Sequence, residues 1–88
     1  MPWTIQEDSK YEKQLSKANL LKSEENKLQE WLGEVPTLGP IEAANKIGMK
    51  LNKLKGVDNQ FEGYLGAAAR VSFVYDDTTV TLLGVGHT

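Results

Sequence analysis

Residues 70–75 read RVSFVY, residues 76–79 read DDTT and residues 80–88 read VTLLGVGHT. Two runs rich in β-branched and aromatic residues flank a short acidic break, a pattern that predicts a β-hairpin. The single arginine, Arg70, and the single histidine, His87, lie near the two ends of this segment. An arginine grips phosphate oxygens and a histidine moves protons near neutral pH. The hairpin is therefore the best candidate for a functional site.

Two helices are predicted upstream of the hairpin. Ser9 and Glu12 have the spacing of a capping box that would open the first helix, and Asn19 would end it. Ser23 would begin the second helix, and Gly33 is its natural end. Together they predict a helical hairpin.

The remaining segments predict strands and one more helix. Residues 3–6 suggest an opening strand, residues 36–40 a turn-rich linker and residues 61–65 a further strand. A short third helix from Ile41 is suggested by an apolar stripe that comprises Ala44, Ile47, Leu51 and Leu54. The order predicts one α+β domain over residues 1–88, in which the N-terminal strand and helical hairpin pack on one face of a small antiparallel β-sheet.

Composition excludes several classes of site. With 88 residues, the chain is expected to bury only about 60–65% of its unfolded surface, so a ligand site would be a surface groove. It contains no cysteine, which excludes disulfides and thiolate zinc sites. We expect no metal site and no cofactor. No stretch approaches the roughly 20 apolar residues of a membrane span. These features predict a soluble cytoplasmic protein with no membrane partner.

Basic character is concentrated in one segment. The net charge of −2 argues weakly against a dedicated nucleic-acid binder. Four lysines nevertheless fall between residues 43 and 57 without any acid, and these are Lys46, Lys50, Lys53 and Lys55. They are candidates for nucleic-acid binding. The alternative is a solvated helix face.

The order of elements, together with three sequence segments, resembles the RelE/ParE superfamily of bacterial type II toxins. The segments are KYEKQL at residues 10–15, LKG at 54–56 followed by Phe61 and Tyr64, and the hairpin from Arg70 to His87. The resemblance covers nearly the whole chain and implies a RelE-like fold. It also implies a cytoplasmic toxin, of the kind associated with plasmid stabilisation, that a cognate antitoxin holds inactive.

The resemblance implies a function and assigns residues to it. RelE-like members cleave mRNA in the ribosomal A site, whereas ParE-like members poison DNA gyrase. Arg70 matches the arginine that opens the third strand in RNA-cleaving members. His87 falls where several members place a basic residue, and Lys53 and Lys55 match the basic stretch before the central turn.

Metal-independent RNA cleavage needs a base, an acid and a cation near the phosphorus. Arg70 suits the cation. His87 suits the base or the acid, with Glu62 or Tyr64 as the second proton carrier. The alternative for Arg70 is a salt bridge with Glu62 on the adjacent strand, and the alternative for His87 is an exposed residue without a role.

Departures from the family favour a second function. RNA-cleaving members usually carry lysine or arginine on the second strand, where this chain has Glu62, Gly63 and Tyr64. They are also typically basic. The runner-up is therefore a non-enzymatic binding protein, either a gyrase poison or a degenerate toxin that only binds an antitoxin.

Overall fold

The hairpin at residues 70–87 forms as its sequence predicts. In the computed structural model, which describes residues 2–54, 56 and 60–87, strand β4 (Ala69–Tyr75) pairs antiparallel with strand β5 (Thr79–His87). The Asp76 carboxylate accepts hydrogen bonds from the backbone N–H groups of Thr78 and Thr79, at 3.0 and 2.8 Å. This Asx-type turn fixes the reversal between the strands.

The other elements form a helical layer and complete the sheet. They are β1 (Thr4–Glu7), α1 (Tyr11–Ala18), α2 (Lys22–Leu38), α3 (Pro40–Ile47), β2 (Leu51–Lys53) and β3 (Gln60–Tyr64). The sheet order is β1-β5-β4-β3-β2. The predicted α+β class is confirmed. The sheet is mixed, because β1 lies within it, parallel to β5, with Thr4 opposite Thr79.

The core lies between the helices and one face of the sheet. Trp31 of α2 and Phe73 of β4 are fully buried, with ring centroids 4.9 Å apart. The indole Nε1 of Trp31 donates to the carbonyl oxygen of Pro40 over 3.0 Å, which links α2 to α3 inside the core. Phe61 of β3 stacks on Phe73 at 5.9 Å.

Helix α1 ends where predicted but does not begin there. Asn19 adopts the left-handed conformation with φ 50°, which terminates the helix. The predicted capping box at Ser9 is wrong, because Lys10 is the N-cap and makes no side-chain cap. Burial, together with the nearby charge of Glu7, raises the pKa of Tyr11 from 10.0 to about 12. Tyr11 therefore begins the helix as a buried core residue.

Helix α2 is longer than its sequence signals suggest. It begins at Lys22 and continues through Gly33 and Pro36 to Leu38, so the predicted end at Gly33 and the predicted linker at 36–40 are wrong. Trp31 and Val35 are both fully buried. Packing of this face therefore outweighs the weak local preference of Gly33.

A single glycine separates α2 from α3. Gly39 has φ +85°, a conformation that L-residues rarely adopt, and the Trp3 ring packs directly against it. The backbone N–H of Trp3 donates to the carbonyl oxygen of Pro36 over 2.8 Å. This contact ties the segment before β1 to the end of α2.

Helix α3 ends at Ile47, where Gly48 caps it with φ +74°. Leu51 lies in β2 and Leu54 follows that strand, so the predicted apolar stripe past Ile47 is wrong. Among the described residues, Lys46 is consequently the only one of the four candidate nucleic-acid-binding lysines that lies in a helix. Within the described ranges, no helix combines the length and apolar character needed to cross a membrane.

Candidate functional site

A small groove lies at the end of the sheet, where three strands and α1 meet. Its volume is about 250 Å³, and its lining comprises Gln14, Glu62, Arg70, Ser72 and residues 84–87. We call it the Arg70 groove. Most of these residues have polar side chains or are glycines, so the groove suits a polar ligand.

Arg70 and Glu62 lie on the face of the sheet opposite to the one on which α2 packs. Tyr64 pairs with Arg70 and Glu62 pairs with Ser72, so these four residues project to the same side. The intervening Val71 is buried in the core on the other side. The candidate catalytic residues of β3 and β4 therefore share one surface.

The two charged groups of this surface form an ion pair. The Nη1 of Arg70 donates to Oε2 of Glu62 over 2.6 Å, and the side chains are 31% and 15% exposed. The salt bridge suggested by the sequence is thus formed. It occupies one of the five N–H donors of the guanidinium, and the others remain available to a ligand.

Two glycines form the floor of the Arg70 groove. Gly84 lies opposite Ser72 and Gly86 lies opposite Arg70. The carboxamide of Gln14 covers Gly84, and a methyl group added at this position would collide with it. The absence of a side chain at residue 84 leaves room for the exposed Gln14 carboxamide to lie against β5.

His87 lies one residue beyond Gly86, the partner of Arg70, but its imidazole is directed toward α2. His87 pairs with Ala69, whose side chain is fully buried in the core. The Nε2 of His87 is 3.7 Å from Oε1 of Glu24, a carboxylate on α2 with a 6% exposed side chain. Arg70 and His87 therefore lie close together at one end of the sheet, but their side chains project from opposite faces.

A β-bulge explains this orientation. Ser72 pairs with Gly84 and Phe73 pairs with Leu82, so Leu83 has no partner on β4. One extra residue reverses the alternation of side chains along the remainder of the strand. Without the bulge, His87 would project to the face that carries Arg70.

The predicted nucleic-acid-binding lysines do not form one surface stripe. The Nζ of Lys46 pairs with Oε2 of Glu34 at 2.6 Å. Lys50 lies exposed between α3 and β2, and Lys53 lies in β2. Lys55 lies outside the described residues. Lys46, Lys50 and Lys53 thus belong to three different parts of the fold.

Sequence reasoning missed Gln14, Ser72 and Glu24. Ser72 follows Arg70 by two residues on a predicted strand, and this spacing was a signal that both share a face. The glycines at 84 and 86 within a strand signalled a close approach of another element. No local sequence pattern predicts the contact between His87 and Glu24, because that contact depends on the bulge.

Among the described residues, no group of three or more His, Cys, Asp or Glu side chains is arranged to hold a metal ion. The side chains of Arg70, Glu62, Ser72 and Gln14 supply the Arg70 groove with a cation, a carboxylate, a hydroxyl group and a carboxamide.

Comparison with known proteins identifies the fold. No protein-family model and no curated protein sequence matches the chain. Among solved structures, an archaeal RelE–RelB complex from Pyrococcus horikoshii OT3 contains a chain that is 18% identical, with a TM-score of 0.70 and coverage of 99% of this chain and 96% of that one.

Two bacterial structures give the same result. The Escherichia coli DinJ–YafQ toxin–antitoxin complex matches at 13% identity and a TM-score of 0.72, covering 99% of this chain and 93% of that one. The YoeB dimer from Staphylococcus aureus matches at 16% identity and a TM-score of 0.70, covering 100% and 99%. The chain therefore has the RelE-like fold that its sequence predicted.

Proposed function

We propose that this chain is the toxin of a type II toxin–antitoxin pair, and that it cleaves mRNA on the ribosome in the cytoplasm. The observation that carries the proposal is the Arg70–Glu62 pair in a polar groove on the open face of a RelE-like sheet. The likeness to RelE, YafQ and YoeB supports it over nearly the full length of residues 1–88.

Arg70 supplies the positive charge in this mechanism. Its free guanidinium N–H groups would bind the non-bridging oxygens of the scissile phosphate. The negative charge that develops on the phosphorane is then stabilised by a cation already fixed in position by Glu62. No metal ion or cofactor is needed for this role.

Glu62 and Tyr64 supply the proton transfers. Glu62 would remove the proton of the ribose 2′-hydroxyl, whose oxygen then attacks the adjacent phosphorus. The bond from phosphorus to the 5′-oxygen breaks, and Tyr64 would donate a proton to that leaving oxygen. The products are a 2′,3′-cyclic phosphate and a 5′-hydroxyl. His87 can replace Tyr64 as the acid only if its imidazole leaves Glu24, 3.7 Å away.

An antitoxin is the second expected partner, in addition to mRNA on the ribosome. A groove of about 260 Å³ runs between α1 and α2, and its apolar lining includes Leu15, Leu20 and Leu28. An amphipathic helix or strand of the antitoxin would cover this surface. Two of the structural neighbours are complexes of this kind, RelE with RelB and YafQ with DinJ.

The orientation of His87 favours a second candidate function. If the imidazole stays with Glu24 and the guanidinium stays with Glu62, the site lacks a free proton carrier of high reactivity. The chain would then be a non-enzymatic binding protein. It would either poison DNA gyrase or bind an antitoxin without being toxic.

Inducible expression in a bacterial host separates these functions. We expect growth arrest, with mRNA cleavage detected by primer extension only in translated transcripts. Arg70→Ala should abolish both effects, whereas the exposed control Lys13→Ala should retain them. Growth arrest without cleavage, together with inhibition of purified gyrase, would select the gyrase poison. Absence of both activities would select the degenerate binder.

A further inference from the structure

We infer that the buried carboxylate of Glu24 holds the His87 imidazole on the α2 side of the sheet and thereby keeps it out of the Arg70 groove. We call this contact the Glu24 latch. The inference rests on the proposed function, in which His87 can serve as the acid once it has left Glu24. It gives a role to Glu24, the buried charged side chain among the described residues.

Glu24 is the fixed partner in the latch. Its side chain is 6% exposed, and its Oε1 accepts a hydrogen bond from the backbone N–H of Leu21 at 2.8 Å, where α2 begins. The carboxylate also lies against Gly66, between β3 and β4, where an added methyl group would come within 3.0 Å of Oε2. A negative charge at a helix N-terminus is stabilised by the helix dipole. The fold therefore holds this carboxylate in one place.

His87 is the less constrained partner. Strand β1 accompanies β5 only as far as Leu82, so the last residues of β5 pair with β4 alone. Gly86 directly precedes His87, and a methyl group added to this glycine would contact nothing within 4 Å. Backbone rotation at Gly86 can therefore turn the imidazole toward the Arg70 groove, which His87 already borders.

The latch depends on the charge of the imidazole. The Nε2 of His87 is 3.7 Å from Oε1 of Glu24, a distance that allows an ion pair but is too long for a hydrogen bond. The carboxylate attracts a protonated imidazole far more strongly than a neutral one. The other ionisable side chains near this end of the sheet are Lys27 on α2 and, on the opposite face, Glu62, Tyr64 and Arg70. Since Glu62 is paired with Arg70, Glu24 is the carboxylate that receives His87.

The latch is weak enough to open. Because the His87 side chain is 39% exposed, its pairing with Glu24 should shift a two-state equilibrium by up to about fivefold. Most molecules then hold the imidazole against Glu24, and a minority present it to the Arg70 groove. A phosphate bound by Arg70 would attract the protonated imidazole and compete with Glu24. The latch therefore lowers cleavage without abolishing it.

NMR spectroscopy measures the position of the imidazole. The chain contains one histidine, so a single set of imidazole signals reports on His87. The parent is the full chain with Arg70→Gln and Glu62→Gln, which permits expression and leaves the opposite face without its ion pair. Nuclear Overhauser effects between the His87 ring protons and the γ-protons of residue 24 are recorded at about pH 5.5 and about pH 8, on either side of imidazole titration.

The test variant is Glu24→Gln, whose carboxamide oxygen can still accept the hydrogen bond from Leu21. The matched control is Glu25→Gln, which removes an exposed acid from the same first turn of α2. Circular dichroism verifies that both variants are folded.

We expect the contact signals in the parent to be stronger at the lower pH. In Glu24→Gln they should weaken and lose this pH dependence, and Glu25→Gln should behave as the parent does. Signals that are absent in the parent, or that have equal intensity at the two pH values, would overturn the inference. This comparison in the parent needs no variant at position 24, so it decides the matter even if Glu24→Gln does not fold.

Cleavage in a purified translation system tests the consequence of the latch. Glu24→Gln should cleave mRNA about two- to fivefold faster than the wild type, because more molecules present His87 to the groove. Glu24→Gln/His87→Ala should be no faster than His87→Ala. If the wild type cleaves but Glu24→Gln is not faster, or if Glu24→Gln accelerates cleavage without His87, the latch is wrong. If no variant cleaves, the proposed nuclease function is wrong, and the NMR comparison alone decides the latch.

Discussion

Arg70 and Glu62 are joined by a 2.6 Å contact between Nη1 and Oε2 on the open face of the sheet. The pair has two possible consequences for chemistry. The carboxylate can be a reactant that the arginine positions, or it can be only a counter-ion. The structure of the pair is the same in both cases, so the distinction requires a variant.

Glu62→Gln tests this distinction. We expect mRNA cleavage to slow by about 10²–10⁴-fold, because glutamine cannot accept the 2′-hydroxyl proton. The carboxamide oxygen can still accept a hydrogen bond from Arg70, so folding should be retained. Cleavage is followed in a purified translation system, with the exposed Glu30→Gln as control. If the Glu62→Gln variant cleaves mRNA as fast as the wild type does, Glu62 is only a counter-ion of Arg70.

Gly39→Ala should be strongly destabilising. Gly39 has φ 85° and ψ 168°, a region essentially restricted to glycine that would cost an L-residue about 1–3 kcal/mol, and the new methyl group would lie 2.8 Å from the Trp3 ring. Gly33→Ala is the matched control, since Gly33 lies inside α2 with nothing within 4 Å. It should stabilise the protein by about 0.5–1 kcal/mol. Urea unfolding of both variants measures these changes, and equal shifts in their midpoints would contradict the account of the α2–α3 junction.

Two variants separate the contribution of the Trp31 ring to stability from the contribution of its hydrogen bond. Trp31→Phe keeps an aromatic ring beside Phe73 but leaves the Pro40 carbonyl without its donor, at a cost of about 1–3 kcal/mol. Trp31→Ala removes the ring as well and should cost about 3–5 kcal/mol. Chemical denaturation gives both free energies of unfolding. If the two variants lose the same stability, the packing of the ring on Phe73 contributes nothing.

Tyr11 should make stability depend on pH in the alkaline range. Its pKa is raised from 10.0 to about 12 in the folded protein, first by burial and then by Glu7. Between these two values the unfolded chain loses the phenolic proton and the folded chain keeps it. The free energy of unfolding should therefore fall as pH rises from about 10 to 12, by roughly 2–3 kcal/mol.

The matched control for this effect is Tyr11→Phe. It removes the phenol and keeps the buried ring, so the decline attributable to Tyr11 should disappear while any contribution from lysines persists. The difference between the two unfolding curves, measured at intervals of pH, isolates the tyrosine. Parallel curves would show that the phenol titrates with the same pKa in both states.

Local signals predicted those parts of the fold that local interactions decide. The terminal hairpin was predicted from its alternation and its acidic turn, and the end of α1 from Asn19. The end of α2 was not predicted, because the burial of Trp31 and Val35 outweighs the weak helix preference of Gly33. The parallel pairing of β1 with β5 joins distant segments, and no local pattern records it.

The candidate site was likewise predictable only where local sequence patterns determine it. Residue types and strand spacing identified Arg70 and suggested its salt bridge with Glu62, and that contact is present. The direction of His87 depends on a one-residue bulge at Leu83, and the strand sequence contains no unambiguous mark of it. The assignment of catalytic roles to Arg70, Glu62, Tyr64 and His87 stays a prediction.

The pairing of β1 with β5 also determines when the sheet can be completed during synthesis. Among the described strands, β1 is adjacent only to β5, so it cannot pair until β2, β3, β4 and β5 have been synthesised. Until Val80 and Leu82 emerge, the apolar sides of Trp31 and Val35 lack part of their cover. Such long-range closure slows folding relative to helical proteins of equal length. Each newly made molecule therefore passes through an interval in which it is complete in α2 and α3 but has no finished sheet.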